Sequence, residues 1–343
     1  MKPGLRVLSS ALACTFQDCG RPGYQRFGVP ISGALDMTAL AVANTLAGNP
    51  ACTAAIEILG AGLRFKVEAD AVTLALSGAA AVLALENEKA RARVPPFRSV
   101  VARRNDVVHA SPSSGGAPSY LAVAGGFDLV PALGSMSTYR RAALGGFNGR
   151  ALAAGDFLPL RLSDREREPV QMEVSLPPPH TLRVMLGPED TAFQPAALEA
   201  LLSSSYEVSP ASDRMGLRLA GASLARNSDE ELSSRATTGG ALQVPSNGQP
   251  ILLLADRQTT GGYPRIATVI GADLSAAGRL AAGMVVRFQQ VDRQQAIHAL
   301  AEHRKWLESL PTLIRPAPTA ELTPERLLGQ NLIGGVTTGS GCI

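Results

Sequence analysis

Chemistry-bearing side chains concentrate in three short runs. The first is Gln17-Asp18-Cys19-Gly20-Arg21-Pro22-Gly23-Tyr24, continuing through Gly28-Val29-Pro30-Ile31-Ser32-Gly33-Ala34-Leu35-Asp36. It sets an amide, two carboxylates, a guanidinium and a hydroxyl on a backbone rich in Gly and Pro, which lets a ligand approach main-chain N–H groups. The same residues also read as plain turns, with Asp18 and Arg21 as a local ion pair and Asp36 as a helix cap. The second run, Gln258-Thr259-Thr260-Gly261-Gly262-Tyr263-Pro264, follows an apolar strand. Its hydroxyls, amide and phenol could hydrogen-bond a carboxylate, phosphate or ureido group, or the run could be only a hairpin loop. In the third, Gly240-Ala241-Leu242-Gln243-Val244-Pro245, with Ser212-Asp213-Arg214-Met215-Gly216 upstream, Gln243 lies within a strand-like stretch. A buried amide must be hydrogen-bonded, so Gln243 is either structural or aimed at a ligand.

Other catalytic templates are missing. The chain has no Gly-x-Gly-x-x-Gly after a strand, no Walker loop and no Gly-x-Ser-x-Gly elbow. His109, His180, His298 and His303 lack metal-ligand spacing, so no metal site is expected; His298 and His303 read as solvated positions of one helix, and Trp306 as its packing residue. Cys14, Cys19, Cys52 and Cys342 form no Cys-x-x-Cys pair and read as reduced thiols of a cytoplasmic protein.

The elements that must position these runs are mostly strands. Val72–Ser77, Ala81–Leu85, Ser99–Ala102 and Tyr120–Ala124 are strand-like in the first half, and Leu182–Leu186, Ala241–Val244, Ile251–Ala255, Ala267–Gly271 and Met284–Phe288 in the second. Asn247-Gly248 joins two of these as a hairpin turn. Helices are predicted at Met37–Ala47, capped by Asp36 and ended by Gly48; at Thr191–Leu202; and from Asp292, paired with Gln295 in a capping box, to about Leu310. Leu5 to Phe16 reads as a first strand rather than a signal segment, because Arg6 interrupts it. The charged, proline-bearing stretch Ser163–Pro179 is the best linker, which divides the chain into residues 1–170, 171–310 and a Pro/Gly-rich tail, 311–343. Strands that do not alternate regularly with helices argue for a mainly β fold with a few helices, and closed barrels suit their short lengths.

The 343 residues carry 32 Lys+Arg against 29 Asp+Glu, a net charge of +3, which gives no electrostatic case for nucleic acid. The most apolar stretch, Ala71 to Leu85, is shorter than the roughly 20 residues a membrane span needs, so no membrane partner is expected.

Several motifs together resemble a known family. They are FQDCGRPGYQRFGVPISGALD (16–36), AAIE (54–57), YLAVAGGFD (120–128), LGSMST (133–138), SDRMGLRL (212–219), GGALQVPSNGQPILLLADRQTTGGYP (239–264), IGADL (270–274) and VRF (286–288). In this order they resemble the biotin-dependent carboxyltransferase family that includes the C subunit of 5-oxoprolinase, allophanate hydrolase subunit 2 and the carboxyltransferase half of urea carboxylase. The resemblance implies two cyclophilin-like β-barrel domains. It also implies a complex with a B subunit of the allophanate hydrolase subunit 1 family and with an A subunit. Such a complex opens 5-oxoproline to L-glutamate at the expense of ATP. Other branches of the family imply carboxyl transfer from biotin to urea or a related amide, with the biotin carried on another chain, or a non-enzymatic regulator that antagonises a kinase inhibitor.

On that reading Asp18, Arg21, Gln243 and Tyr263 are the candidate catalytic residues, with Asp18 the choice for general base. Gln17, Ser32, Gly33, Gln258, Thr259, Thr260, Gly261 and Gly262 are candidate substrate-binding residues. The chain departs from the family pattern at Met136, where an arginine is usual; at Arg235, where an acid is expected; at Arg279, where Gln is expected; and at Ala282-Gly283-Met284, where the usual sequence is Pro-Gly-Asp.

Overall fold

The computed structural model describes residues 2–10, 13–60, 62–78, 81–87, 91–111, 116–161, 167–228 and 232–317. Cys342, most of the tail and the start of the 163–179 stretch lie outside them.

Period-two patterning builds the strands. In Leu63–Val67 the apolar Leu63, Phe65 and Val67 point inward while Arg64 and Lys66 turn outward, and in Val285–Gln290 only Val286 and Phe288 are buried. Ala71–Gly78, buried on both faces, is central to its sheet. The first half of the chain holds two sheets. One is six-stranded, in the order 157–159, 4–10, 63–67, 107–111, 82–86, 91–94; the other is seven-stranded, in the order 15–17, 55–58, 119–123, 71–78, 98–103, 170–172, 314–316. The second half closes as a seven-stranded barrel, 181–186, 265–269, 241–243, 251–253, 216–220, 205–208, 285–290. Closure comes from the parallel pairing of Thr181–Val184 with Arg287–Gln290. The closed barrel expected of the second half is present, and in the first half the strands are shared between two sheets.

Each half has its own apolar cluster, centred on Phe16, Phe65 and Phe127 in the first and on Tyr206, Val286 and Phe288 in the second. A third cluster surrounds the helix Met37–Ala47, nine of whose 11 residues are buried. Such an all-round apolar helix needs cover on every side. The sheet supplies Ala75, Tyr120 and Ala122, and the end of the C-terminal helix supplies Trp306 and Leu310.

Local signals placed the helix ends well. Asp36 accepts hydrogen bonds from the N–H groups of Thr38 and Ala39, and Gly48 ends the helix at φ 72°. Asp292 and Gln295 form the capping box of helix Arg293–Ser309. The helix expected from Thr191 begins later, as Pro195–Ser203 after a 3-10 turn at Asp190–Ala192. Pro195 disfavours helical geometry at Gln194, which is extended, and occupies the first helical position itself. Past Leu310 the chain does not run free: Ile314–Pro316 pairs with Val170–Met172 on the edge of the seven-stranded sheet. Among the described residues no helix is long and apolar enough to cross a membrane.

The expectation of reduced thiols is corrected for two cysteines. Cys19 and Cys52 are disulfide-bonded, their Cα atoms 5.3 Å apart. They stand 33 residues apart in sequence, and the fold of the loop around helix Met37–Ala47 brings them together.

Candidate functional site

The 17–36 loop lies along the seam between the two halves and makes polar contacts across it. The Ser32 N–H donates to Ala255 O at 3.1 Å, and Gln25 Nε2 donates to Thr237 O at 2.6 Å and Thr259 O at 3.3 Å. The first and second polar runs therefore meet. Close approach fixes two glycines here. Gly33 has φ 90°, and a Cβ on it would lie 3.0 Å from Gly20 N. A Cβ on Gly278 would collide with the Leu35 carbonyl across the seam.

Asp18 does not pair with Arg21. Its Oδ1 accepts from Gly20 N (2.8 Å), Ser135 Oγ (2.6 Å) and Ser137 Oγ (2.5 Å), and its Oδ2 accepts from Met136 N (2.7 Å). Met136 thus serves this carboxylate through its backbone. Arg21 is almost fully buried; it donates from Nη2 to Ser137 O and from Nε to Ala132 O at 3.4 Å. Burial lowers its pKa, against the opposing fields of Asp18 and Asp256. Its Nη1 has no protein partner, nor have the nearby Gln17 Oε1, Ser32 Oγ and Thr138 Oγ1, all buried. Gln17 itself is anchored by Nε2 to Thr15 Oγ1 (3.0 Å) and Thr138 O (3.1 Å). Buried polar atoms left over in this way mark a place for a ligand or water.

The second and third runs join through their amides. Gln258 Nε2 donates to Gln243 Oε1 at 2.9 Å, and Gly261 lies so close to Gln243 Nε2 that a Cβ there would sit 2.7 Å from it. Thr260–Gly261 pairs with Arg235–Ala236 as a small two-stranded sheet. The Gln258 carbonyl accepts from Thr237 Oγ1. Gly262 approaches the Leu232 carbonyl. Tyr263 remains at the rim, 37% exposed.

A second polar centre on the seam joins Arg214, from the polar stretch upstream of the third run, to Glu57, which was not singled out. Arg214 donates to Glu57 Oε1, to Asp256 Oδ2 (Nε, 2.8 Å) and Oδ1 (Nη2, 3.2 Å), and to Gly33 O (Nη2, 2.6 Å). Glu57 Oε2 in turn accepts from Leu35 N (3.0 Å) and Tyr120 Oη (2.7 Å), and Tyr120 Oη accepts from Asp36 N (2.8 Å). Burial would lower the pKa of Arg214, but the charges of Glu57 and Asp256 raise it. Burial first, then the Glu57 charge, drive the Tyr120 phenol well up. One signal was available for this centre: Glu57 is a lone acid in the otherwise apolar strand Ala55–Ile58.

Both unexpected arginines meet carboxylates. Arg279 Nε lies 3.6 Å from Asp36 Oδ2, and Arg235 Nη1 lies 3.2 Å from Glu189, which also binds Arg265. Burial pushes the Asp36 carboxyl up to about 6, against the Arg279 charge and the cap hydrogen bonds. His298 is mostly exposed, as expected, but His303 is not simply solvated. It reaches Thr38 Oγ1 at 3.3 Å, stacks on Trp306, and has its pKa lowered by burial and by Arg279. Among the described residues no cluster of three or more His, Cys, Asp or Glu is placed to hold a metal.

A cleft of about 540 Å³ opens on the seam between Ala13, Leu59 and Tyr139–Arg141 of the first half and Ser212–Met215 and Asp256 of the second. A smaller apolar one, about 260 Å³, lies on the other side of Arg214, lined by Leu35, Pro118, Leu217 and Leu280. The 258–264 run lines neither.

A mainly β chain whose polar groups converge on the seam between a two-sheet half and a barrel defines the class. The family model of the carboxyltransferase domain, subdomain A and B, matches residues 27–290. The chain is 38% identical over 306 residues to the 5-oxoprolinase C subunit of Escherichia coli (strain K12), covering 89% of this chain and 97% of that protein. It is 33% identical over 311 residues to the 5-oxoprolinase C subunit of Haemophilus influenzae, covering 90% and 98%. The crystal structure of the K. lactis urea amidolyase superposes with a TM-score of 0.82 at 25% identity, over 95% of this chain but only 21% of that one. The chain belongs to the carboxyltransferase-domain family, together with the C subunits of 5-oxoprolinase.

Proposed function

We propose that the chain is the C subunit of an ATP-dependent 5-oxoprolinase, which together with its A and B subunits turns 5-oxoproline, ATP and water into L-glutamate, ADP and phosphate in the cytoplasm. The observation that carries this reading is end-to-end similarity to a 5-oxoprolinase C subunit, 38% identity over 97% of its length. A lactam resists hydrolysis through amide resonance, and ATP supplies the activation in the complex. This chain contributes fixed donors around the amide and its developing oxyanion. Arg21 Nη1, with no protein acceptor, is the donor assigned to that role, together with Gln17 and Ser32, whose side-chain oxygens are likewise buried without a protein partner. Gln243, held by Gln258, and Tyr263 face the substrate from the barrel side, with Thr259, Thr260, Gly261 and Gly262 shaping that wall and Gly33 giving close backbone approach. Asp18, with four donors on its oxygens, serves as the positioning residue of the loop rather than as the general base.

The test is reconstitution. The chain alone should be inert, and the trio should release glutamate and phosphate from 5-oxoproline and ATP. Absence of turnover from a correctly assembled trio rejects the reading. The fold-level likeness to urea amidolyase favours a second reading, carboxyl transfer to urea or a related amide from biotin carried on another chain. That activity would be abolished by avidin, and avidin-insensitive turnover eliminates it.

A further inference from the structure

Three arginines are buried among the described residues: Arg21, Arg257 and Arg279. Two of them answer to acids. The charges of Asp18 and Asp256 act on Arg21, and Arg279 Nε lies 3.6 Å from Asp36 Oδ2. Arg257, only 7% exposed, has no carboxylate partner among the described residues. Both oxygens of Asp256, next to it in the chain, accept from Arg214. The one hydrogen bond of the Arg257 guanidinium runs from Nη1 to the Leu254 carbonyl at 3.4 Å, and its buried Nε makes none. Burial lowers the Arg257 pKa, and no carboxylate field opposes the shift. A guanidinium taken out of water with so few acceptors is costly unless something else meets it.

Arg257 belongs to the wall that the proposed function sets against the substrate. It precedes Gln258, which holds Gln243, and Thr259, whose carbonyl accepts from Gln25 of the 17–36 loop. Two residues before it, the Ala255 carbonyl accepts from Ser32 N. The segment 237–239 runs alongside, tied by Thr237 N to Thr259 O at 3.0 Å and by Thr237 Oγ1 to Gln258 O. Within it, Gly239 leaves room at the guanidinium. Beyond its own chain neighbours, a Cβ on Gly239 would meet only Arg257 among the described residues, 3.5 Å from Nη1 and 3.8 Å from Cζ. The backbone at Gly239 is not left-handed, so the turn itself does not require glycine there. Its N–H donates to no acceptor among the described residues.

We propose that Arg257 is the specificity-determining residue of this site and takes the carboxylate of a small cyclic amide in the space that Gly239 leaves open. The proposal rests on the 5-oxoprolinase reading and deepens it. A guanidinium presents its N–H groups as a fork that matches the two oxygens of a carboxylate. 5-Oxoproline carries such a carboxylate on its lactam ring. Urea is neutral and would leave the buried cation unmet.

The experiment has two arms. In the first, the assembled trio is titrated calorimetrically, without ATP, with 5-oxoproline and with 2-pyrrolidinone, the same ring lacking the carboxylate. The wild type should bind 5-oxoproline at least about tenfold more tightly, the scale of one charge-assisted hydrogen bond. Arg257→Met should bring 5-oxoproline down to the affinity of 2-pyrrolidinone, and Arg257→Lys, which keeps the charge without the fork, should recover part of the preference. A preference that survives in Arg257→Met, or binding of neither ring, overturns the proposal. In the second arm, Arg257→Met and Gly239→Ala, which sets a methyl against the guanidinium, should each raise KM for 5-oxoproline at least about tenfold with kcat within about twofold. An unaltered KM overturns the proposal. The thermal midpoint of Arg257→Met should hold or rise, because an unpaired buried cation has been removed. A higher KM accompanied by a lower midpoint would make Arg257 a structural residue and overturn the assignment. If the wild-type trio fails to turn over 5-oxoproline, the functional reading falls, and the carboxylate preference in the first arm still decides the role of Arg257.

Discussion

Two arginines on the same seam, Arg21 fully buried and Arg214 nearly so, are treated in opposite ways. Arg214 is saturated, facing Glu57, Asp256 and a carbonyl, with Tyr120 completing the shell around Glu57. Arg21 is bonded only to carbonyls and keeps Nη1 unpartnered, as are the buried Gln17 Oε1, Ser32 Oγ and Thr138 Oγ1. A buried charge with every neighbour satisfied acts as a strut, while one left short of partners is costly unless something else completes it. The difference separates what joins the halves from what the loop offers to a ligand.

The sharpest way to break this contrast is Arg214→Met. It would strand Glu57 and Asp256 without their cation, and removing one partner of a buried ion pair costs about 3–5 kcal/mol. Denaturant unfolding should show that loss, with tryptophan fluorescence and circular dichroism transitions compared for separation of the halves. A loss under about 1 kcal/mol would show that the network is not a strut. Arg21→Met, by contrast, should lower turnover of the complex far more than it lowers stability.

Next in size is the Cys19–Cys52 bridge, because the loop with the unsatisfied centre is stapled covalently instead of by a counter-ion. Closing about 33 residues constrains the unfolded chain by about 3–4 kcal/mol in the loop-entropy account. Cys52→Ser should lower stability by up to that amount in oxidising buffer and by nothing beyond the reduced wild type in dithiothreitol. Equal stability of wild type with and without reductant would reject the staple.

What could be read from residue order was local. Asp36 before an apolar run and Gly48 after it mark the helix ends, and Asp292 with Gln295 marks another, because caps act within one turn. The alternation of Leu63–Val67 shows its strand in the same way. The meeting of the 17–36 and 258–264 runs rests on Gln25, whose partners lie 212 and 234 residues away. The Arg214–Glu57 contact spans 157 residues, and the disulfide joins Cys residues with no motif between them. No periodicity encodes such pairs; only the closed fold selects them. The return of Ile314–Pro316 to the first half is equally silent, since three residues on a sheet edge carry no pattern.

Asp36 tests the network through pH. Its unfolded carboxyl ionises near 3.8, the folded one only near about 6, because burial disfavours the charge. The unfolded state therefore releases its proton first as pH rises. The stability this group contributes is full below about 3.8 and is lost as pH climbs to about 6. Asp36→Asn keeps an acceptor for the helix cap but cannot titrate. Its stability relative to wild type should rise between about pH 4 and 7, by at most about 3 kcal/mol for a carboxyl moved that far. Parallel pH profiles for the two proteins would remove Asp36 from the buried charge set.

The smallest effect distinguishes the two arginines that depart from the family pattern. Arg279 is buried against Asp36, whereas Arg235 is 59% exposed at 3.2 Å from Glu189. Glu189 is already held below the ordinary carboxylate range, chiefly by Arg265, which donates to it from Nε at 2.8 Å and Nη2 at 2.6 Å. The second cation adds little to an occupied carboxylate at the surface, where water and salt screen it. Arg235→Ala should therefore cost under about 1 kcal/mol, and that cost should vanish in molar salt. A loss above about 2 kcal/mol that survives high salt would place Arg235 with Arg214 among the struts, and the line drawn here between buried and exposed partners would have to move.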